Sequence, residues 1–173
     1  MQSTRKILVL STFMVFTSFQ AFATDGVYLY VEGADQGHIK GDVTYSGQVD
    51  TIDVDGWSME FNAVRNINGF PVRRQDHTPF AVTKAVDVSS VPLLQAFINK
   101  ENLDVVELRI YQDSADGSRQ HYFTIKLEDA TISDMRQTES NTLFSAGIEE
   151  INLFYETITW TYEPTGASTS DDW

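Results

Sequence analysis

Residues 157–162, TITWTY, place Thr157, Thr159 and Thr161 on one side and Ile158, Trp160 and Tyr162 on the other. Alternation this strict predicts a strand with one buried face and one wet face. The same period of two recurs along most of the chain, in short segments separated by turn residues, and predicts a mainly antiparallel β structure. Strands are expected over Val27–Glu32, over Thr51–Phe61 with a bend at Gly56, and over Phe80–Val86. Val105–Tyr111 and Arg119–Leu127 should pair across a hairpin turn at Asp116-Gly117, followed by strands at Ala130–Met135 and Ile148–Tyr155. In QHYFTIKLED (120–129), Phe123, Ile125 and Leu127 read as the buried face and Tyr122, Thr124 and Lys126 as the other. Glu128-Asp129 then reads as the turn into the next strand.

Some segments depart from that period. DVSSVPLLQAFINKENL reads as a helix, with Ser89 or Ser90 to cap its free N–H groups, Pro92 in the first turn, and Leu94, Phe97 and Ile98 as the buried stripe. Asn62–Thr78 (NAVRNINGFPVRRQDHT) carries little periodicity and reads as one long exposed loop, of a length that in a compact domain usually has a job. Gln137–Asn141 reads as a polar loop, and the tail PTGASTSDDW as too short for another strand, flexible or docked on a neighbour.

The first 23 residues change the picture. Arg5 and Lys6 precede an apolar run from Ile7 to Phe19 and the small-residue triplet Ala21-Phe22-Ala23, the layout of a secretory signal peptide cleaved near Ala23. The run is too short for a membrane span, so the expectation is a leader over residues 1–23 and a single domain over 24–173, secreted or periplasmic without stable membrane insertion. Loss of Arg5 and Lys6 leaves that domain two charges more negative than the −13 of the whole chain. Such a surface repels nucleic acid. There is no cysteine despite the implied export, so burial and sheet hydrogen bonding must carry stability.

Candidate chemistry is thin. His38, His77 and His121 are far apart, in different predicted elements and without metal-ligand spacing, and read as surface or half-buried histidines. Asp50, Asp53 and Asp55 lack the remaining ligands of a calcium loop, and Gly56-Trp57-Ser58-Met59-Glu60 misses the nucleophile elbow at its last position. Glu128 and Asp129, adjacent on a strand, point to opposite faces and cannot converge on one substrate. No catalytic residue, cofactor or metal is expected.

The segments HTPF (77–80), TK (83–84), DVSSVPLLQA (87–96), VELRIY (106–111), HYFTIKLEDA (121–130), ITWT (158–161) and the ending GASTSDDW (166–173) occur in an order that resembles the Hcp, or hemolysin-coregulated, proteins of type VI secretion systems. The resemblance spans nearly all of residues 24–173. It implies an antiparallel β-barrel with one short α-helix packed at its side, assembled into homohexameric rings that stack into a hollow tube. It also implies a VgrG-type spike, a contractile sheath and small effector proteins as partners. In that family the loop matching Asn62–Thr78 helps rings contact one another, which makes Arg65, Arg73 and Arg74 candidates for pairing with acids on the next ring. The leader departs from the family pattern, because such tubes assemble before firing without a cleaved signal. A stand-alone exported ligand-binding or adhesive module on the same fold is the alternative.

Overall fold

The computed structural model describes residues 26–114, 118–139 and 147–173. In chain order its strands are β1 (Val27–Gly33), β2 (Gly37–His38), β3 (Ile52–Asp53), β4 (Gly56–Ser58), β5 (Phe61–Arg65), β6 (Pro71–His77) and β7 (Phe80–Ala85). Helix α1 (Ser90–Asn99) follows, then β8 (Leu103–Asp113), β9 (Arg119–Thr138), β10 (Ile148–Phe154), β11 (Thr157–Tyr162) and β12 (Ala167–Asp172). Among the described residues every strand pairing is antiparallel.

The main path runs β1-β8-β9-β10-β7-β4. Its two ends are joined by the segment 52–58: β3 pairs with β1 at Tyr28 and Leu29, and β4 pairs with β7 at Ala81–Thr83. Between them the Val54 N–H donates to the Val27 carbonyl at 3.0 Å and the Asp55 N–H to the Thr83 carbonyl at 2.9 Å. A break at Val54-Asp55 thus lets one segment hand its hydrogen bonds from one end of the path to the other and close the barrel on that side, covering the edges of β1 and β7, while β12 remains an edge strand paired with β11. The single strand expected over Thr51–Phe61 is divided for this reason.

β9 is one continuous strand of 20 residues where two were expected. Its partner edge is taken by β11 at Phe123–Glu128 and by β10 at Thr131–Thr138. Between these pairings Asp129 adopts φ 51°, a left-handed conformation that L-residues avoid. Glu128-Asp129 is therefore a bend and not a turn: it swings β9 from the face shared with β8 to the face shared with β10 and β7. Tyr155-Glu156 makes the matching break between β10 and β11, and the Glu156 N–H still reaches the Glu128 carbonyl at 3.1 Å.

The core is formed by the inward positions Leu29, Val31, Phe80, Val82, Val106, Leu108, Ile125, Leu127, Ile151, Leu153 and Ile158, with Leu93 and Ala96 supplied by α1. The helix is rotated from the expected stripe. Leu94 and Phe97 are half-buried and Ile98 is exposed, whereas Ser90, Leu93 and Ala96 face inward. The cause lies at its N-terminus. The Ser90 hydroxyl accepts from the Asp87 N–H at 2.9 Å and donates to the buried Glu149 carboxylate at 2.8 Å, so that face is drawn into the barrel. Neither serine hydroxyl caps the helix in the usual way. At the other end Lys100 takes the left-handed position (φ 54°), and the Glu101 N–H closes onto the Ala96 carbonyl at 2.9 Å.

Two further expectations are corrected. Asn62–Thr78 is not a loop: Phe61–Arg65 and Pro71–His77 pair as a hairpin. The tail forms a strand, β12, laid along β11 from Ala167↔Tyr162 to Asp172↔Thr157. Its Ala/Ser/Thr/Asp side chains are almost all exposed, so no apolar pattern announced it. The Asp116-Gly117 turn lies outside the described residues, while Gln137 and Thr138 of the expected polar loop close β9.

Candidate functional site: a polar wall and a projecting hairpin

Register places the outward-facing residues of the strands in cross-strand rows. Tyr28, Arg109, Thr124, Thr161 and Ser168 form one row across β1, β8, β9, β11 and β12. Tyr30, Glu107, Lys126, Thr159 and Ser170 form the next, and Glu32, Val105, Glu128, Thr157 and Asp172 the third. The rows between them carry Leu29, Leu108 and Ile125, and Val31, Val106, Leu127 and Ile158, all turned into the core. One sheet face is thus polar over five strands, as period-two patterning requires.

The charges on this wall are largely paired in place. Arg109 Nε donates to Glu107 Oε1 at 2.8 Å and its guanidinium lies 5.4 Å over the Tyr30 ring. Lys126 Nζ meets Glu128 Oε1 at 2.8 Å, and the Tyr30 hydroxyl donates to Glu32 Oε2 at 2.6 Å. That hydrogen bond to Glu32, with burial second, raises the Tyr30 pKa. The other half of the wall, on β11 and β12, is a field of threonine and serine hydroxyls with Asp172 at one end, where it accepts from the Thr157 hydroxyl at 3.0 Å.

Residues 40–50 fold over one corner of the wall. Gln48 there donates to the Tyr111 hydroxyl at 2.5 Å, and Arg119 donates to the Tyr28 hydroxyl at 2.5 Å while lying 5.0 Å over the Tyr45 ring. Burial raises the pKa values of Tyr28 and Tyr111. His121 stacks on Tyr111 with centroids 4.7 Å apart and contacts the Thr124 hydroxyl at 2.9 Å. A register shift at Ile110/Tyr111 brings His121 to this face and packs Tyr122 partly against the core, the reverse of the expected alternation at that point.

The hairpin β5–β6 stands apart from the barrel as a separate two-stranded sheet. Its turn is built by Asn66, whose side-chain oxygen accepts from the N–H groups of Asn68 (3.0 Å) and Phe70 (3.1 Å), and by Gly69 at φ 81°. Ile67 and Phe70 project from this tip into solvent. Arg65 is exposed and donates to the Gly69 carbonyl at 3.0 Å, so it also holds the turn; Arg73 and Arg74 lie on β6.

Of the histidines, His38 and His121 are half-buried as expected, but the His77 side chain has no solvent exposure. Asp53 sits beside Tyr28, its pKa raised by burial and then by the charge of Asp55. Among the described residues no three His, Asp or Glu side chains converge as metal ligands.

Residues 28–162 match the family described as "Type VI secretion system effector, Hcp". The chain belongs to the Hcp family. It is 35% identical over 162 residues to the "Major exported protein" of Pseudomonas aeruginosa, covering 84% of this chain and 94% of that one. Among solved structures it is similar to Hcp1 from the EAEC 042 pathovar of E. coli, in a mutant form, with a TM-score of 0.79, 28% identity and coverage of 87% and 99% of the two chains. It is also similar to the secreted protein Hcp3 of Pseudomonas aeruginosa, with a TM-score of 0.69, 32% identity and coverage of 87% and 99%. Hcp proteins are structural tube proteins of type VI secretion, not enzymes. The barrel with its one helix is the Hcp fold expected from the sequence.

Proposed function

We propose that residues 24–173 assemble as a homohexameric ring, that rings stack into a hollow tube, and that the polar wall of β1, β8, β9, β11 and β12 faces the lumen and carries small effector proteins. The observation that carries this reading is the pairing of two surfaces on one subunit: a broad polar sheet face and a hairpin whose apolar tip, Ile67 and Phe70, is exposed in the isolated chain. A water-filled channel accepts the first, and a neighbouring ring covers the second. Arg65, Arg73 and Arg74 on that hairpin would meet the acidic surface of the next ring, a favourable match for a domain two charges more negative than the −13 of the whole chain. A spike at the tip and a sheath around the tube are the further partners of this reading.

The leader-like residues 1–23 favour a second reading, a stand-alone exported binding or adhesive module released into the periplasm or medium after cleavage near Ala23. Size measurement of the cleaved protein separates the two. A hexamer supports the ring, and a monomer at high concentration overturns it. Fractionation of cells with the sheath disabled tests the route: continued release shows that the protein leaves by general export.

A further inference from the structure

The end of the chain closes on the base of the hairpin. The last residue of β6, His77, is wedged between three aromatic rings: Phe61 across the hairpin at 4.9 Å, Tyr155 at 5.8 Å and Trp173 at 5.8 Å. Its Nδ1 lies 3.1 Å from the Tyr155 hydroxyl and its Nε2 3.0 Å from Asp171 Oδ2. With Tyr155 as donor, Nδ1 accepts and Nε2–H donates to the carboxylate, so both ring nitrogens are satisfied in one tautomer. The Trp173 ring is seated in turn on Phe154 (5.0 Å) and Tyr155 (5.1 Å), and the Trp173 backbone N–H donates to the Glu156 carbonyl at 3.0 Å. Phe61 completes the base against Trp160 at 5.2 Å.

Among the described side chains, the ring contacts and side-chain hydrogen bonds that tie the hairpin to the barrel run through Phe61 and His77. The strand that supplies Asp171, by contrast, contributes almost no buried side chain of its own and is held by its ladder to β11 and by these end contacts. We propose that Asp171 and Trp173 form a latch that sets the orientation of the β5–β6 hairpin through His77, so that peeling β12 from the barrel frees the hairpin without unfolding the barrel. The latch concerns the hairpin that stacking would use but does not require stacking.

Hydrogen exchange on the intact protein tests it. Asp171 is half-exposed and outside the core, so Asp171→Ala should fold; Trp173→Ala is the second variant. Each is expected to speed exchange at the amides of residues 61–65 and 75–77 by roughly tenfold, the scale of one lost hydrogen bond or ring contact. Exchange at Ile125 and Leu127 in β9 should not change. Asp171→Asn, which keeps an acceptor oxygen for Nε2–H, should restore most of the protection. Unchanged hairpin exchange in both alanine variants overturns the latch, as does a loss of protection spread equally over β9.

Discussion

Lys84 Nζ and Glu149 Oε2 lie 2.7 Å apart with neither side chain exposed, on core-facing positions of the adjacent strands β7 and β10. Lys84 also donates to the Ala85 carbonyl (2.7 Å) and the Ser90 hydroxyl (3.2 Å) and pairs with Asp87 at 2.7 Å. Glu149 accepts from Ser90 at 2.8 Å and from Gln137 Nε2 at 2.6 Å. A buried ion pair adds little over apolar packing, but breaking one leaves a charge without its partner. Lys84→Met should therefore cost about 3 kcal/mol or more in denaturant unfolding. The double variant Lys84→Met/Glu149→Leu should recover part of that loss, because the fully buried Glu149 charge goes with it while Asp87, closer to solvent, stays without its lysine.

Helix α1 ends on a residue whose side chain opposes its backbone. Lys100 at φ 54° holds the left-handed position that glycine occupies without strain, and among the described residues its side chain is largely in solvent. Lys100→Gly is expected to raise stability by about 0.5–1 kcal/mol, read as an increase in melting temperature.

Just beyond, Glu101 clamps the β1–β2 turn. Burial pushes its pKa up, but hydrogen bonds from the Gln36 side chain and from the N–H groups of Gln36 and Asp35, at 2.7, 2.8 and 2.9 Å, win and hold it below the usual glutamate value. The same carboxylate explains Gly33, where a Cβ would run into Glu101 Oε1. A depressed folded pKa means stability that is present above the ordinary glutamate range and lost as pH falls through the lowered value. Glu101→Gln should destabilise by about 2 kcal/mol at neutral pH, since its amide would oppose the Gln36 amide. It should also flatten the acid limb of a stability-against-pH curve; an unchanged acid limb would count against the clamp.

The opposite sign holds for Tyr155. Burial first, and then the Asp171 charge, push its phenol up to about 12. Its contribution to stability is complete below the ordinary tyrosine value and is lost as pH rises through about 12. The pKa values of Tyr28, Tyr30 and Tyr111 are also raised, so ultraviolet titration of tyrosinate should show several late-titrating groups, of which one at about 12 disappears in Tyr155→Phe. In Asp171→Asn the same group should titrate earlier, because one of its two causes is gone.

How much of this was legible beforehand follows from which residues carry a periodic signal. Leu29/Val31, Val106/Leu108 and Ile125/Leu127 alternate cleanly, so these antiparallel strands were readable from period two, whereas their closure into a barrel was expected only from the family resemblance. The hairpin was not: Ala63, Val64, Pro71 and Val72 do not alternate with their neighbours, and a two-stranded ribbon off the barrel has no core to impose alternation. Asn66 and Gly69 carried the turn signal and were the clue that strands flanked them. β12 was invisible for the same reason, since Ser168–Asp172 bury almost nothing and are held by backbone hydrogen bonds. The His77 cluster joins residues 94 positions apart, a juxtaposition that local patterning does not encode.

If the hairpin tip docks on a neighbouring ring, its two surface chemistries should fail in different ways. Charge reversal at Arg73 and Arg74 removes complementarity to an acidic partner, so tubes seen by electron microscopy should shorten or vanish, with a deficit that changes with salt concentration. Ile67→Ser with Phe70→Ser removes exposed apolar area at the tip, and its deficit should be nearly independent of salt. Both changes lie on the hairpin, a sheet separate from that of the barrel, so ring size in solution and melting temperature should stay as in the parent protein. Normal tubes from both variants would show that the hairpin serves another surface, whereas loss of the ring itself would place the hairpin within the ring instead of between rings.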